Sequence, residues 1–379
     1  MYSFVDLDRS LGAVPAGVVM ALSRVDRGQG SEDLFRNQVP DLLTELADRA
    51  RVSSITASSA LEGVVVPDRV RAAAIIHGKA AVLRTRSEQE LAGYRASLDY
   101  LFGTDWRPLN VGLLLHLHRV LFEQTRSPGG TFKDSDNLVV DRSPGGAVTV
   151  RFRPVPAART EYFTSELLGR YQEAVRAQRH HPVLLVGLFV LDLLTIHPFT
   201  DGNGRVARVL TTALLAEREY GVGRYVSLEQ LIAESADGYY QALLDSTHGW
   251  HEQANDPWPW LDYFVCTLAS AYAKLGEGVS QGRSGTTKSD RVREHVLHHS
   301  AQVFAISDVR AALPGVSDPT IRLVLNQLRD EGRVRPDGTG RSAVWVRSAD
   351  GPARMLGGRR APAAFSVPST RADASRRRP

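Results

Sequence analysis

The sequence predicts a mainly α protein: a helical bundle carrying one β-hairpin, followed by a small domain in the order helix, helix, helix, hairpin. Three observations lead there. Apolar residues recur at helical spacing from about Ile76 to Leu275. The pattern breaks once, between Ser127 and Val155, where two Ser-Pro-Gly-Gly signals punctuate two short β-like runs, Asn137–Val140 and Ala147–Phe152. Finally, Gly276–Ser289 has the composition of a linker, and beyond it Val292–Leu297, Ile306–Leu313 and Ile321–Leu328 again show helical spacing.

Taken in order, residues 1–75 read as an irregular start followed by helices at Asp41–Ala50 and Ser53–Leu61, with Gly63 as a stop. Residues 76–275 form the main bundle. Its helices are expected at Ser87–Leu101, Val111–Gln124, Arg159–Arg179, His181–Ile196 and Arg205–Tyr220, and its hairpin turns at Ser143–Gly146. Residues 276–289 are expected as the linker and 290–348 as the small domain. The tail, 349–379, is rich in Ala, Pro, Gly, Ser and Arg, and it is assigned no structure.

Composition narrows the function. The 379 residues are 43% hydrophobic, enough for a sizeable core. The single cysteine, Cys266, excludes an intramolecular disulfide. The first residues lack a basic leader and an apolar run, so no signal peptide is expected. The longest apolar stretch, Val183–Ile196, is interrupted by Asp192 and is too short to span a bilayer. No membrane contact is expected, and a cytoplasmic location is the default. Charge is uneven: residues 281–379 carry 18 Lys and Arg against 9 Asp and Glu, leaving 28 against 33 for the rest of the chain. A basic module on an acidic body suits contact with a polyanion.

The chemistry concentrates after the apolar helix. Pro198 forbids its continuation, and Gly202 and Gly204 open backbone conformations closed to other residues. A new helix is expected near Arg205, burying Val206, Val209, Leu210, Ala213 and Leu214. A glycine-rich loop feeding a helix N-terminus is an anion site, because free N–H groups and the helix dipole both favour negative charge. Arg205 and Arg208, three residues apart, share one face of the first turn. Asp201 is a hard oxygen donor suited to Mg²⁺, which travels with ATP, and His197 can act as a base near neutral pH. Phe199 reads as a core anchor.

His197-Pro198-Phe199-Thr200-Asp201-Gly202-Asn203-Gly204-Arg205, completed by Arg208, resembles the full signature of the Fic (filamentation induced by cAMP) family, H-P-F-x-D-G-N-G-R-x-x-R, without a departure. Ala92–Ala96, Leu117-His118, Gly130–Lys133 and Gly238–Leu243 are similar to other parts of the Fic core, so the resemblance covers roughly residues 50 to 275. Lys133 stands where the family usually has Arg. The resemblance implies a Fic-type helical bundle whose hairpin is a flap that pairs with an extended target segment. It implies transfer of AMP from ATP to a Ser, Thr or Tyr hydroxyl of a target protein, self included. His197 would take the hydroxyl proton and Asp201 would hold Mg²⁺. Gly202, Asn203 and Gly204 would hold the α-phosphate, Arg205 the β-phosphate and Arg208 the γ-phosphate.

Ser58-Ser59-Ala60-Leu61-Glu62-Gly63 resembles the family's inhibitory motif, [S/T]-x-x-x-E-[G/N], in its N-terminally inhibited class. It implies that Glu62 pairs with Arg208 and takes the place needed by the γ-phosphate, with Ser58 and Gly63 framing it. In some relatives the same Glu supports AMP removal instead, so that role stays open, as does a homodimer. The last segments, residues 290–348, look like a winged helix-turn-helix domain, whose partner would be DNA or, as in many enzymes, another protein. Thr320, Arg322, Asn326 and Arg329 would lie on the reading helix, with Arg333, Arg335 and Arg341 on the wing. A nucleotide-regulated transcription regulator is therefore the competing reading.

Overall fold

The computed structural model describes residues 2–127, 129–142, 148–285, 288–313, 315–338 and 344–348. The chain divides into two units, Met1–Gly282 and Arg283–Pro379.

The first unit is helical almost from its start. Helix α1 (Leu7–Leu11) follows Asp6, whose carboxylate accepts from the Arg9 N–H. Helices α2 (Ala16–Gln38), α3 (Pro40–Leu61) and α4 (Arg69–Ile76) come next. The expected irregular start is therefore mostly helix. The stripe that α2 buries includes only Val18, Ala21, Leu22 and Val25 as apolar members, too sparse to stand out as a period. The two helices expected at 41–50 and 53–61 are one, because no Gly or Pro separates them. Helix α3 ends where Gly63 takes φ +73 and its N–H bonds back to the Ala60 carbonyl.

Helices α5 (Arg86–Gly103) and α6 (Val111–Phe122) lead to the hairpin of β1 (Val139–Arg142) and β2 (Val148–Phe152). Its strands are antiparallel with a bulge between Val139 and Val140, and the turn expected at 143–146 lies outside the described residues. Then come α7 (Ala157–Ala177), α8 (Pro182–Ile196), α9 (Asn203–Glu217), α10 (Leu228–Glu234), α11 (Ala236–Thr247) and α12 (Trp258–Gly285).

Helix α8 is the hub, buried from Val183 to Ile196 except at Leu194. The acid that interrupts its apolar run is fully buried and staples distant parts to it. Asp192 accepts from the Ser3 hydroxyl at 2.6 Å and from Trp250 Nε1 at 2.7 Å. Helices α7 and α9 pack along α8, and α5, α6 and α9 meet one another. At the α5–α6 crossing, a side chain on Gly93 would run into the Leu121 carbonyl. Helix α12 runs to Gly285, so most of the expected linker is helical. Gly276 and Gly278 each weaken a helix by about 1 kcal/mol, but buried Leu275 and Val279 hold this stretch against the core.

The second unit contains α13 (Lys288–Glu294), continued by a π-turn through His299, α14 (Ile306–Ala312) and α15 (Asp318–Asp330). Strands β3 (Val303–Phe304), β4 (Val334–Asp337) and β5 (Val344–Arg347) form an antiparallel sheet in the order β3-β5-β4. The unit has its own core, including Val292, Val309, Ile321, Leu325, Leu328 and Trp345. Ser317 is the N-cap residue of α15, and Asp318 in its first turn pairs with Arg310. Arg341 and the tail from residue 349 lie outside the described residues. Among the described residues no helix is long and apolar enough to cross a membrane.

The α5–α6 crossing gives a direct test. Gly93→Ala should destabilise the protein by about 3 kcal/mol, the upper end of ordinary overpacking, because the obstacle is backbone. Urea unfolding of the variant beside the parent measures it, and a loss under about 0.5 kcal/mol would show that the crossing relaxes freely.

Candidate active site

The site is built on the break between α8 and α9. His197 ends α8 in the left-handed conformation, φ 54, where glycine is usual and a side chain costs on the order of 1 kcal/mol. Pro198 seals the stop, and buried Phe199 stacks on His118 with ring centres 3.8 Å apart. Gly202 takes φ +81 as the N-cap residue of α9. It has no side chain to cap the first turn, so the N–H groups there remain for another acceptor. A Cβ on Gly202 would meet the Phe122 ring at 2.7 Å, so this position demands glycine twice over.

His197 Nδ1 lies 3.2 Å from the Leu194 carbonyl. A carbonyl only accepts, so Nδ1 carries the proton and Nε2 is left with a free lone pair. Burial pushes the imidazole down to about 4, with the nearby Lys133 ammonium assisting. The imidazole is thus neutral throughout the physiological range. Lys133 is itself buried. Its backbone N–H donates to the Pro198 carbonyl at 3.0 Å, and its Nζ reaches the Asn137 side chain at 2.9 Å and the Ile196 carbonyl at 3.3 Å. Burial draws its ammonium down to about 8. The Lys in the family's Arg position thus clamps the loop on both sides of His197.

Asn203 turns its side chain inward. Its Oδ1 accepts from the Phe199 N–H at 2.9 Å and its Nδ2 donates to the Phe199 carbonyl at 2.8 Å. Both functions of the amide shape the loop, so an anion on this turn would meet backbone N–H groups. His118 does similar work. Its Nδ1 accepts from the Gly130 N–H at 2.9 Å, so Nε2 is the donor and faces the Asp201 carbonyl at 3.2 Å. Burial lowers this imidazole to about 4 as well.

Arg205, expected to reach toward a β-phosphate, is 1% exposed and lies under the core side of the loop. Its Nη1 bonds Glu90 at 2.5 Å, its Nη2 reaches Asp201 at 3.3 Å, and its guanidinium lies over the Phe122 ring. Asp201 is half exposed and is also approached by Arg86 at 3.3 Å. A single exposed carboxylate is not a complete metal site, and among the described residues no cluster of three or more ligating side chains exists. It does fit Mg²⁺ that keeps waters and shares the oxygens of a bound phosphate.

Arg208 meets the N-terminal segment. Its Nε donates to Ser58 Oγ at 2.8 Å, and its Nη2 donates to the Ser58 carbonyl at 3.1 Å and to Glu62 Oε1 at 2.8 Å. Burial alone would lower the guanidinium pKa. The Glu62 carboxylate and the Tyr239 and Tyr94 hydroxyls outweigh it and raise it. A Cβ built on Gly204 would collide with Glu62 Oε1, so the carboxylate sits directly against the first turn of α9. Behind it, the Tyr94 hydroxyl donates to Glu229 at 2.9 Å, tying α5 to α10, while α10 packs along α3.

A cleft of about 510 Å³ opens beside these groups, lined by His197, Gly204, Arg208 and Glu62 together with hairpin residues such as Val140 and Phe152 and the side chain of Tyr240. Of the residues expected to act, His197, Gly204, Arg208 and Glu62 converge there, while Asp201 and Arg205 lie outside its lining. Sequence reasoning missed Glu90, Arg86 and the role of His118. An Arg and a Glu four apart are the commonest sight on a helix surface, so nothing marked Glu90 as buried.

Residues 108–215 match the model of the Fic/DOC family. The chain is 27% identical over 169 residues to protein adenylyltransferase Fic of Nematostella vectensis, covering 42% of this chain and 34% of that protein. It is 29% identical over 134 residues to the Drosophila willistoni protein of the same name, covering 35% and 25%. The chain therefore spans about a third or a quarter of the length of these curated relatives. Among solved structures, a Fic family protein from Desulfovibrio desulfuricans superposes with a TM-score of 0.60 at 21% identity, covering 90% of this chain and 98% of that one. Fic-1 from C. elegans gives 0.53 at 18%, covering 71% and 74%. At these identities the likeness establishes the fold. The part that the family model matches runs from α6 through the hairpin, α7, the hub helix and the loop into α9.

The two buried imidazoles make a pH test. The folded protein keeps His118 and His197 neutral down to about pH 4, whereas the unfolded chain protonates them near 6.5. Between these values the unfolded state binds more protons, so stability falls as pH drops from about 6.5 to 4. Histidine NMR titration should place both midpoints near 4. Midpoints near 6.5 would show that water reaches both rings.

Proposed function

We propose that this protein transfers AMP from ATP to a hydroxyl side chain of a protein target, itself included, and that Glu62 restrains the reaction by holding Arg208. The observation that carries the reading is the placement of the Glu62 carboxylate on the Arg208 guanidinium and the Gly204 turn, within the same cleft as the free Nε2 of His197. The names of the curated relatives support the transfer chemistry.

In this reading the hydroxyl oxygen attacks the α-phosphorus while its proton passes to His197 Nε2. The bond from the α-phosphorus to the oxygen bridging to the β-phosphate breaks, and pyrophosphate leaves. The backbone N–H groups of the α9 first turn, set by Gly202 and Gly204, hold the α-phosphate as its charge rises. Arg208 takes the γ-phosphate once Glu62 has left it. Asp201 would hold Mg²⁺, which when bound would supply neutralisation of phosphate charge. With Glu62 in place, the guanidinium is occupied and the triphosphate is displaced. A shift of about 1 Å costs on the order of 100-fold in rate.

Glu62→Gly should therefore raise auto-modification by about 100-fold, and Glu62→Gly with His197→Ala should abolish it. Incubation with α-labelled or γ-labelled ATP separates the chemistries. Label from the α position alone is expected. Label from the γ position alone means phosphate transfer and removes the proposal. Equal activity with and without Glu62 removes the brake. Removal of AMP by a water that Glu62 orients is read in the same assay as loss of pre-installed label that requires Glu62.

A second reading concerns residues 290–348, which we infer form a winged helix-turn-helix domain that binds DNA. The support is three helices with a three-stranded sheet, and a third helix, α15, that exposes Arg322, Asn326 and Arg329. With about three phosphate contacts, affinity should fall roughly 40-fold between about 50 and 200 mM salt. A mobility shift with the full chain tests it, and binding absent at low salt would leave α15 as a protein-contact face.

A further inference from the structure

We propose that Arg86 is a further phosphate-binding residue of this site, held by Asp201 and Glu90 until a magnesium-bound di- or triphosphate arrives; this rests on the nucleotide reading above. Four side chains form a closed set. Glu90 accepts from Arg86 Nε and Arg205 Nη1, each at 2.5 Å. Asp201 faces Arg86 Nη2 and Arg205 Nη2, each at 3.3 Å. Two carboxylates and two guanidinium groups balance in charge.

The members differ in freedom. The side chains of Arg205 and Glu90 are 1% and 4% exposed, whereas those of Arg86 and Asp201 are 66% and 50% exposed. Arg205 is fixed between Glu90 and the Phe122 ring. An ordinary surface pair at this spacing would be weak and incidental, but Glu90 is buried and shared, so it anchors Arg86 by Nε and leaves the far end of the guanidinium to turn.

A divalent cation on Asp201 upsets the balance by placing two positive charges beside Arg86. The same cation brings phosphates whose negative charge exceeds its own. A guanidinium matches two phosphate oxygens at once. Arg86 then exchanges Asp201 for a phosphate without releasing Glu90. AMP carries no β-phosphate, so it offers Arg86 no such exchange.

The test uses the full chain carrying Glu62→Gly and His197→Ala, which frees Arg208 and prevents turnover. Calorimetric titration with AMP, and with ADP and ATP in magnesium, is compared after adding Arg86→Ala or Arg86→Lys. Arg86→Ala is expected to weaken ADP and ATP by about ten-fold or more while AMP stays within about two-fold, and Arg86→Lys to recover part of the loss. Unchanged ADP and ATP affinity overturns the proposal. So does an equal loss for AMP, which would make Arg86 a mere support of the loop, and so does tighter binding, which would make it only a competitor of the metal. If the parent variant binds no nucleotide, the reading of the site itself fails, a result visible before Arg86 is changed.

Discussion

Arg208 is almost fully buried and cannot shed its charge, so it must always have an anion. In this structure Glu62 supplies that anion, and Ser58 supplies two further acceptors. The guanidinium is delivered by α9, whose register follows from the break at His197–Gly202. The carboxylate is delivered by the last turn of α3, which Gly63 terminates. Two elements 146 residues apart in sequence thus meet on one ion pair. Removing Glu62 would leave the buried guanidinium without its carboxylate, a charge that would favour another anion in its place.

The loop between α8 and α9 is over-determined. His197 in a left-handed conformation is unfavourable for an unrestrained chain, and Gly202 takes a positive φ that is open to glycine. They persist because Asn203 bonds both backbone groups of Phe199, His118 bonds the Asp201 carbonyl, and Lys133 bonds the carbonyls of Ile196 and Pro198. Polar side chains that could contact a ligand are spent on the backbone. The turn of α9 is left to present N–H groups, and His197 to present Nε2.

Much of this was legible from residues alone. The apolar run of α8, Pro198 and the paired glycines marked a helix–loop–helix anion site, and the motif resemblance assigned its parts. Other features were hidden for physical reasons. Helix α2 buries a sparse stripe within a polar sequence, so its period is faint. The start of the linker-like segment is helix because buried Leu275 and Val279 outweigh two glycines, a tertiary effect that composition cannot reveal. Glu90 resembles any surface partner at spacing four until the fold buries it against Arg205.

The sequence by itself determined where the chain must break and where a histidine adjoins a glycine-rich helix start, because backbone preference and residue chemistry are local properties; Glu62 was marked by the motif resemblance. Only the tertiary structure decided which charges face each other. It placed Glu62 on Arg208, withdrew Arg205 from the cleft into a buried pair with Glu90, and set Arg86 on Asp201. Those outcomes depend on the packing of α3, α5 and α9 across long sequence separations; the motif resemblance implied the pairing of Glu62 with Arg208, but nothing local in the chain marked the pairs of Glu90 with Arg205 and of Arg86 with Asp201.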